Sequence, residues 1–183
     1  MRILFLDIDG VLNSRGSLAY WFYEQMAGRV ANAHDRWCPI LTNNYRHLLS
    51  ELPADVKVVL SSTRRSGRDL TEIQQLFLDR DVCADRVIGK TPDSSSAIRG
   101  LEIQAWLDLH PEVTDFVILD DDSDMAHLLP HLIKTDFRDG LVMSIVDRVT
   151  DRFTPPNGGV RTAPKLPRSG VSIEITPAFE HQQ

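Results

Sequence analysis

Cysteine is scarce in this chain of 183 residues: there are two, Cys38 and Cys83, in unrelated surroundings. That excludes a disulfide framework and a cysteine-based zinc knuckle. No apolar run approaches the length that crosses a bilayer, so no membrane partner is expected. Positive charge is in deficit, with 20 Lys and Arg against 26 Asp and Glu and a formal net charge of −6. This argues against a protein coated by nucleic acid or docked broadly on an anionic membrane. A local basic patch is still allowed, and "RRSGR" at 64–68 is one. The first residues run straight into a strand pattern, without a charged n-region and cleavable apolar stretch. A cytoplasmic protein is the expectation.

What the chain does hold is a regular alternation. Hydrophobic residues make up 42% and charged residues 25%, the balance of one soluble domain able to bury a core. Four short apolar runs stand out: "RILFLD" at 2–7, "VKVVLSS" at 56–62, "FVILDD" at 116–121 and "LIKTD" at 132–136. The first three are continuously apolar, as strands covered on both faces are. Helical spacings lie between them. Tyr45, Leu48, Leu49 and Leu52 repeat at i, i+3, i+4 and i+7 just before Pro53. Leu70, Ile73, Leu76 and Phe77 follow Asp69, an N-cap residue. Ile103, Trp106 and Leu107 mark a third apolar face, and a helix and a strand fill the stretch from Ser66 to Arg99. This alternation predicts an α/β fold: a Rossmann-like three-layer sandwich around a central parallel sheet. In such sheets ligands bind beyond the carboxyl ends of the strands.

Two regions fit the alternation poorly. Residues 14–37, with "SLAYWFYEQMAGRV", form an insertion that reads equally as a helix packed on the core or as a flap over a site. From 153 to 183 the chain is rich in Pro and Gly, with half of the ten prolines between 155 and 177. Within it "VSIEI" at 171–175 alternates as an edge strand does. The expected division is a catalytic domain over 1–152, including the 14–37 flap, and a C-terminal extension over 153–183.

The chemistry gathers where strands end. Asp7 and Asp9 lie two apart on an extended segment, so their side chains leave on the same side. Two carboxylates that close do not both ionise unless a cation joins them. A hard divalent ion with oxygen ligands, Mg²⁺ above all, is the natural partner, and Gly10 allows the tight turn that takes the backbone away. The alternative, a "DxDG" turn with solvated carboxylates, suits poorly a segment that comes straight off a buried apolar run. The second run ends in Ser61, able to hydrogen-bond a phosphoryl oxygen, followed by the cations Arg64 and Arg65. The third ends in "LDDDSD", where Asp120, Asp121, Asp122 and Asp124 form a cluster that calls for a metal. His127 and His131 are four apart, but Pro130 disturbs the helix that a two-His metal face needs, so surface or core roles are expected for them. Asn13 stands where it can cap or steer the flap.

"DIDGVL", then a strand ending in Ser, then a basic residue at a helix start, then a strand ending "DD", resembles the haloacid dehalogenase-like (HAD) phosphohydrolases over about residues 1–150. More narrowly, "FLDIDGVLN", "LSSTRR", "RGLEIQAWL" and "TDFRDGL" are similar to the HAD domain of Swiss army knife RNA-repair proteins. The second motif there ends Trp-Arg, whereas Arg64 takes the place of the tryptophan here. The resemblance implies a Mg²⁺-dependent phosphomonoester hydrolase with an aspartyl-phosphate intermediate. Asp7 would be the nucleophile. Asp9 would be the general acid and base, its backbone carbonyl also on Mg²⁺. Asp120 or Asp121 would complete a metal site formed with Asp7 and Asp9. Ser61 would hold the phosphoryl group, with Arg65 beside it. The family's basic residue is Arg99 or Lys90, Arg99 being preferred because one helix and a turn separate it from Asp120.

Family members with large caps enclose small metabolites, and no large cap fits into this chain. An open site suits a bulky phosphorylated substrate such as a polynucleotide end or a nucleotide, with Tyr20, Trp21, Phe22 and Tyr23 as stacking faces. Two rivals stand beside that reading: a small-metabolite phosphatase closed by the flap or a partner subunit, and a non-catalytic module that binds a phosphorylated ligand.

Overall fold

Five parallel strands form the centre of the molecule, β1 (Arg2–Leu6), β2 (Val56–Leu60), β3 (Val87–Lys90), β4 (Asp115–Asp120) and β5 (Leu132–Lys134), in the order β3-β2-β1-β4-β5. The computed structural model describes residues 1–93 and 98–154. The alternating segment at 171–175 lies outside the described residues. β1, first in the chain, is central, because β2 and β4 pair on either side of it in the same register: Leu6 aligns with Leu60 and with Leu119.

Alternate positions along the strands go to opposite layers. Leu4, Leu6, Val58 and Leu60 face one way, into a cluster with Tyr45, Leu48, Ile73, Phe77, Val146 and Val149. These come from α2 (Pro39–Glu51), α3 (Leu70–Leu78) and α5 (Met143–Phe153). Ile3, Phe5, Val59 and Ile118 face the other way, against Ile103, Trp106 and Leu107 of α4 (Arg99–Asp108). The Phe5 ring meets both Trp106 and Phe116 edge-on, with centroids 5.5 and 5.8 Å away. The sandwich is thus lopsided, with three helices on one face and α4 on the other.

Local signals set the helix ends. Pro39 opens α2, where a missing N–H costs nothing, and α2 stops ahead of Pro53. Asp69 caps α3 in a reciprocal capping box with Glu72. α5 extends the expected set of helices; its Val146, Val149 and Phe153 carry the apolar spacing, and it closes with Phe153 buried. α1 (Arg15–Met26), capped by Ser14, buries none of its residues. It leans on a 3-10 turn at Ala33–Asp35. Among the described residues no helix is long and apolar enough to cross a membrane.

Candidate active site

The register delivers the acids to one place. Ile3 and Phe5 of β1 point toward α4, so the next residue of that parity, Asp7, does too. Val59 leads to Ser61 and Ile118 to Asp120 in the same way. Backbone bonds keep the three tips aligned, from Asp7 N–H to the Leu119 carbonyl (3.0 Å) and from Ser61 N–H to the Leu6 carbonyl (2.9 Å). Asp7 is 5% exposed, Asp120 is 1% and Ser61 is fully buried.

α4 begins above these tips. Asp124 accepts the Arg99 backbone N–H at 2.9 Å, fixing the helix start. Gly100 allows the contact, because a Cβ there would collide with the Met125 carbonyl. The Arg99 guanidinium is placed 3.7 Å from Asp7 and 3.7 Å from Asp120. Its Nη1 is buried and makes no hydrogen bond among the described residues.

Gly10 turns the chain with φ of +88°, a conformation that glycine adopts freely. Its missing Cβ also leaves space for Asp121, whose carboxyl group occupies the position that side chain would take. The Gly10 carbonyl accepts from Thr135 Oγ1 at 2.7 Å, which ties the turn to the end of β5.

Asp7, Asp120 and Asp121 each bring one carboxylate oxygen to within 4.8 Å of the other two. Burial pushes the Asp7 carboxyl well above the ordinary carboxylate range, Asp120 pushes it further, and Arg99 and the Ser62 hydroxyl pull it back. Burial likewise lifts Asp120 to about 6 and raises Asp121. Asp120 Oδ1 accepts the Asp122 N–H at 2.9 Å, while its buried Oδ2 makes no hydrogen bond among the described residues and lies 3.7 Å from Arg99 Nε. Three hard oxygen donors so placed fit Mg²⁺. Asp9 stands outside this trio. Arg64 grips it bidentately, Nε to Oδ2 at 2.9 Å and Nη2 to Oδ1 at 2.6 Å, and Asn13 Nδ2 donates to it at 3.1 Å.

Arg65 faces the other way. All five of its donors are engaged, with the carbonyls of Ser61, Ser62, Thr91 and Pro92 and with Glu102 at 2.6 Å. It braces the loops after β2 and β3 against α4 and has no donor left for a phosphoryl group, contrary to the expectation from the sequence. Lys90, at the end of β3, donates to the Arg65 carbonyl at 3.2 Å, whereas Arg99 reaches the acids. Sequence reasoning missed Ser62, which hydrogen-bonds Asp7, and did not foresee that Arg64 would grip Asp9. Arg64 and Arg65 sit in a 3-10 turn at Thr63–Arg65, where neighbouring side chains diverge by about 120°. One arginine therefore faces the site while the other cannot. His131 stacks on Phe116 with centroids 4.0 Å apart, a packing role, while the exposed His127 meets Gln104 at the surface.

A family model described as the HAD domain in Swiss Army Knife RNA repair proteins matches residues 3–146, most of the chain and every residue of this site. The chain belongs to that family. Membership supports a HAD-type hydrolase. No curated protein and no solved structure matches the chain.

Proposed function

We propose that this chain is a Mg²⁺-dependent phosphomonoester hydrolase that works through an aspartyl-phosphate on Asp7 and acts on phosphorylated nucleic-acid ends. The observation that carries the reading is the trio of Asp7, Asp120 and Asp121 oxygens set beside Arg99, whose Nη1 makes no hydrogen bond among the described residues.

An Asp7 oxygen attacks phosphorus and the bond to the leaving oxygen breaks. The leaving oxygen takes its proton from Asp9, which then accepts a proton from the water that attacks the phosphoryl group. The Asp7–phosphorus bond breaks and inorganic phosphate departs, returning Asp7 to a carboxylate. Arg64 holds both Asp9 oxygens, so proton transfer at Asp9 needs that pair to open, and an entering phosphoryl anion competes for the guanidinium. Arg99 faces the transferring oxygens, and the Ser61 and Ser62 hydroxyls line the same strand end. Asp7, Asp120 and Asp121, with the Asp9 carbonyl, would hold Mg²⁺, which supplies the positive charge that lets two anions approach. The family's description, RNA repair, supports a nucleic-acid end as substrate.

Phosphate release from a generic aryl phosphate tests the reading. Turnover is expected with Mg²⁺, absent with EDTA, and poorly supported by Ca²⁺, whose wider coordination misplaces the attacking oxygen. Asp7→Asn retaining wild-type turnover, or equal rates with both ions, would overturn it.

A further inference from the structure

A cleft leads away from Asp9. Its inner part, about 280 Å³, is lined by Asp9, Arg64 and Thr63. Its outer part, about 800 Å³, lies between the 14–37 insertion and α3. Asp35, Trp37, Arg68 and Leu76 line both, so the two parts adjoin. Together they exceed what a phosphoryl group needs and match the volume of a sizeable organic ligand.

The outer part carries unused donors. Trp21 is the one member of the aromatic run at 20–23 that lines it, and its buried Nε1 has no hydrogen-bond partner among the described residues. Arg80 stacks on Trp37, 4.6 Å from the ring centroid, with its buried Nε also unpartnered. Desolvation lowers the Arg80 pKa, so an anion there would be held by a poorly hydrated cation. Arg36 reaches into the cleft with no hydrogen bond or ion pair from its side chain among the described residues. The acids of the same wall already have partners: Asp35 holds Arg68 at 3.4 Å and Asn32 at 2.9 Å, Glu72 caps α3, and Asp79 accepts from Gln75. The open groups are therefore cationic and aromatic.

We infer that this cleft is the binding track for the one or two nucleotides next to the scissile phosphate of a single-stranded oligonucleotide. Indole faces offer stacking to bases of any sequence, and Arg36 and Arg80 meet the backbone phosphates. The track starts at Asp9, where the leaving oxygen would receive its proton, so the ligand is the leaving group itself. This assignment rests on the hydrolase reading for its polarity but is measurable without turnover.

The test uses the full chain carrying Asp7→Asn and a fluorescently labelled short single-stranded oligonucleotide with a terminal 3′-phosphate, followed by anisotropy. Binding is expected to weaken about tenfold on adding Trp21→Ala, and by a similar factor on adding Arg36→Ala. Neither change touches the core, since α1 buries no residue and Arg36 is exposed. A mononucleotide or a phosphopeptide of the same charge is expected to bind more weakly than the oligonucleotide. Affinity unmoved by both substitutions, or equal for the phosphopeptide, would overturn the track. Aryl phosphate turnover by the wild-type chain separates the two claims. Turnover without oligonucleotide binding sinks the track alone. Binding that depends on Trp21 and Arg36, with no turnover, sinks the hydrolase and keeps the track.

Discussion

The strand tips, which carry the buried acids, and the 14–37 insertion, which lines the outer cleft, are built in opposite ways. Ile3 to Leu6 of β1 are fully buried, and Asp7 follows directly from them. α1 buries none of its residues and leaves Tyr20, Tyr23 and Met26 largely exposed, at 53%, 62% and 89%. Carboxylates that repel one another need a frame that does not yield, and a doubly covered parallel sheet supplies it. A wall that meets a variable ligand needs no such frame. On the proposed reading, reaction chemistry is fixed by packing, while recognition is left to an element that substitutions can alter cheaply.

The sharpest way to test that contrast is at the tips. Asp7→Asn is expected to reduce phosphate release by on the order of 10³-fold or more. The melting temperature should hold or rise, because one of three crowded carboxyl groups has lost its charge. A large loss of stability, seen in thermal melts, would place Asp7 among the structural residues instead.

Arg65 and Arg99 sharpen the comparison within the rigid half. Arg65→Met removes the buried ion pair with Glu102 and four bonds to carbonyls, a loss of about 3–5 kcal/mol that calorimetry would read as a melting temperature lower by roughly 10 °C. Arg99→Met should instead leave the melt nearly in place and remove turnover. Reversal of these two outcomes would exchange their roles.

A smaller effect follows from the acids themselves. Burial raises the carboxyl groups of Asp7, Asp120 (to about 6) and Asp121, so the folded state binds their protons more tightly than the unfolded chain. Their contribution to stability is full below the unfolded carboxylate pKa and is lost as the pH rises toward the folded values. In EDTA the melting temperature should therefore fall between about pH 4 and pH 6, and Asp120→Asn should flatten the slope. Added Mg²⁺ should restore stability at neutral pH by binding only the folded chain. A slope that Asp120→Asn leaves unchanged would remove this group from the account.

The smallest effect belongs to α1. Tyr23→Ser or Met26→Ser should change stability by less than about 0.5 kcal/mol in denaturant melts. A larger loss would mean that α1 packs against more than the Ala33–Asp35 turn.

Much of this was legible before the structure. Buried parallel strands write themselves as continuous apolar runs, so β1, β2, β4 and β5 were visible, and with them the positions of Asp7, Ser61 and Asp120. β3 is harder to read because of its four residues only Val87 is buried. α1 has no apolar stripe to betray it, since it faces little but solvent. α5 did carry one, in Val146, Val149 and Phe153, with Asp and Arg residues between them. The division of labour between Arg64 and Arg65 was out of reach. Both are cations next to the same serines, and only the pitch of a single 3-10 turn decides which one meets Asp9.

The most direct measurement is chemical trapping of the covalent intermediate. Wild-type chain turning over an aryl phosphate with Mg²⁺ is quenched with borohydride, which reduces an acyl phosphate, and the digest is read by mass spectrometry. The account predicts reduction at Asp7 alone, absent without substrate and absent in Asp7→Asn. Continued turnover with Asp7 unmodified, or reduction at Asp9, Asp120 or Asp121 instead, would contradict it.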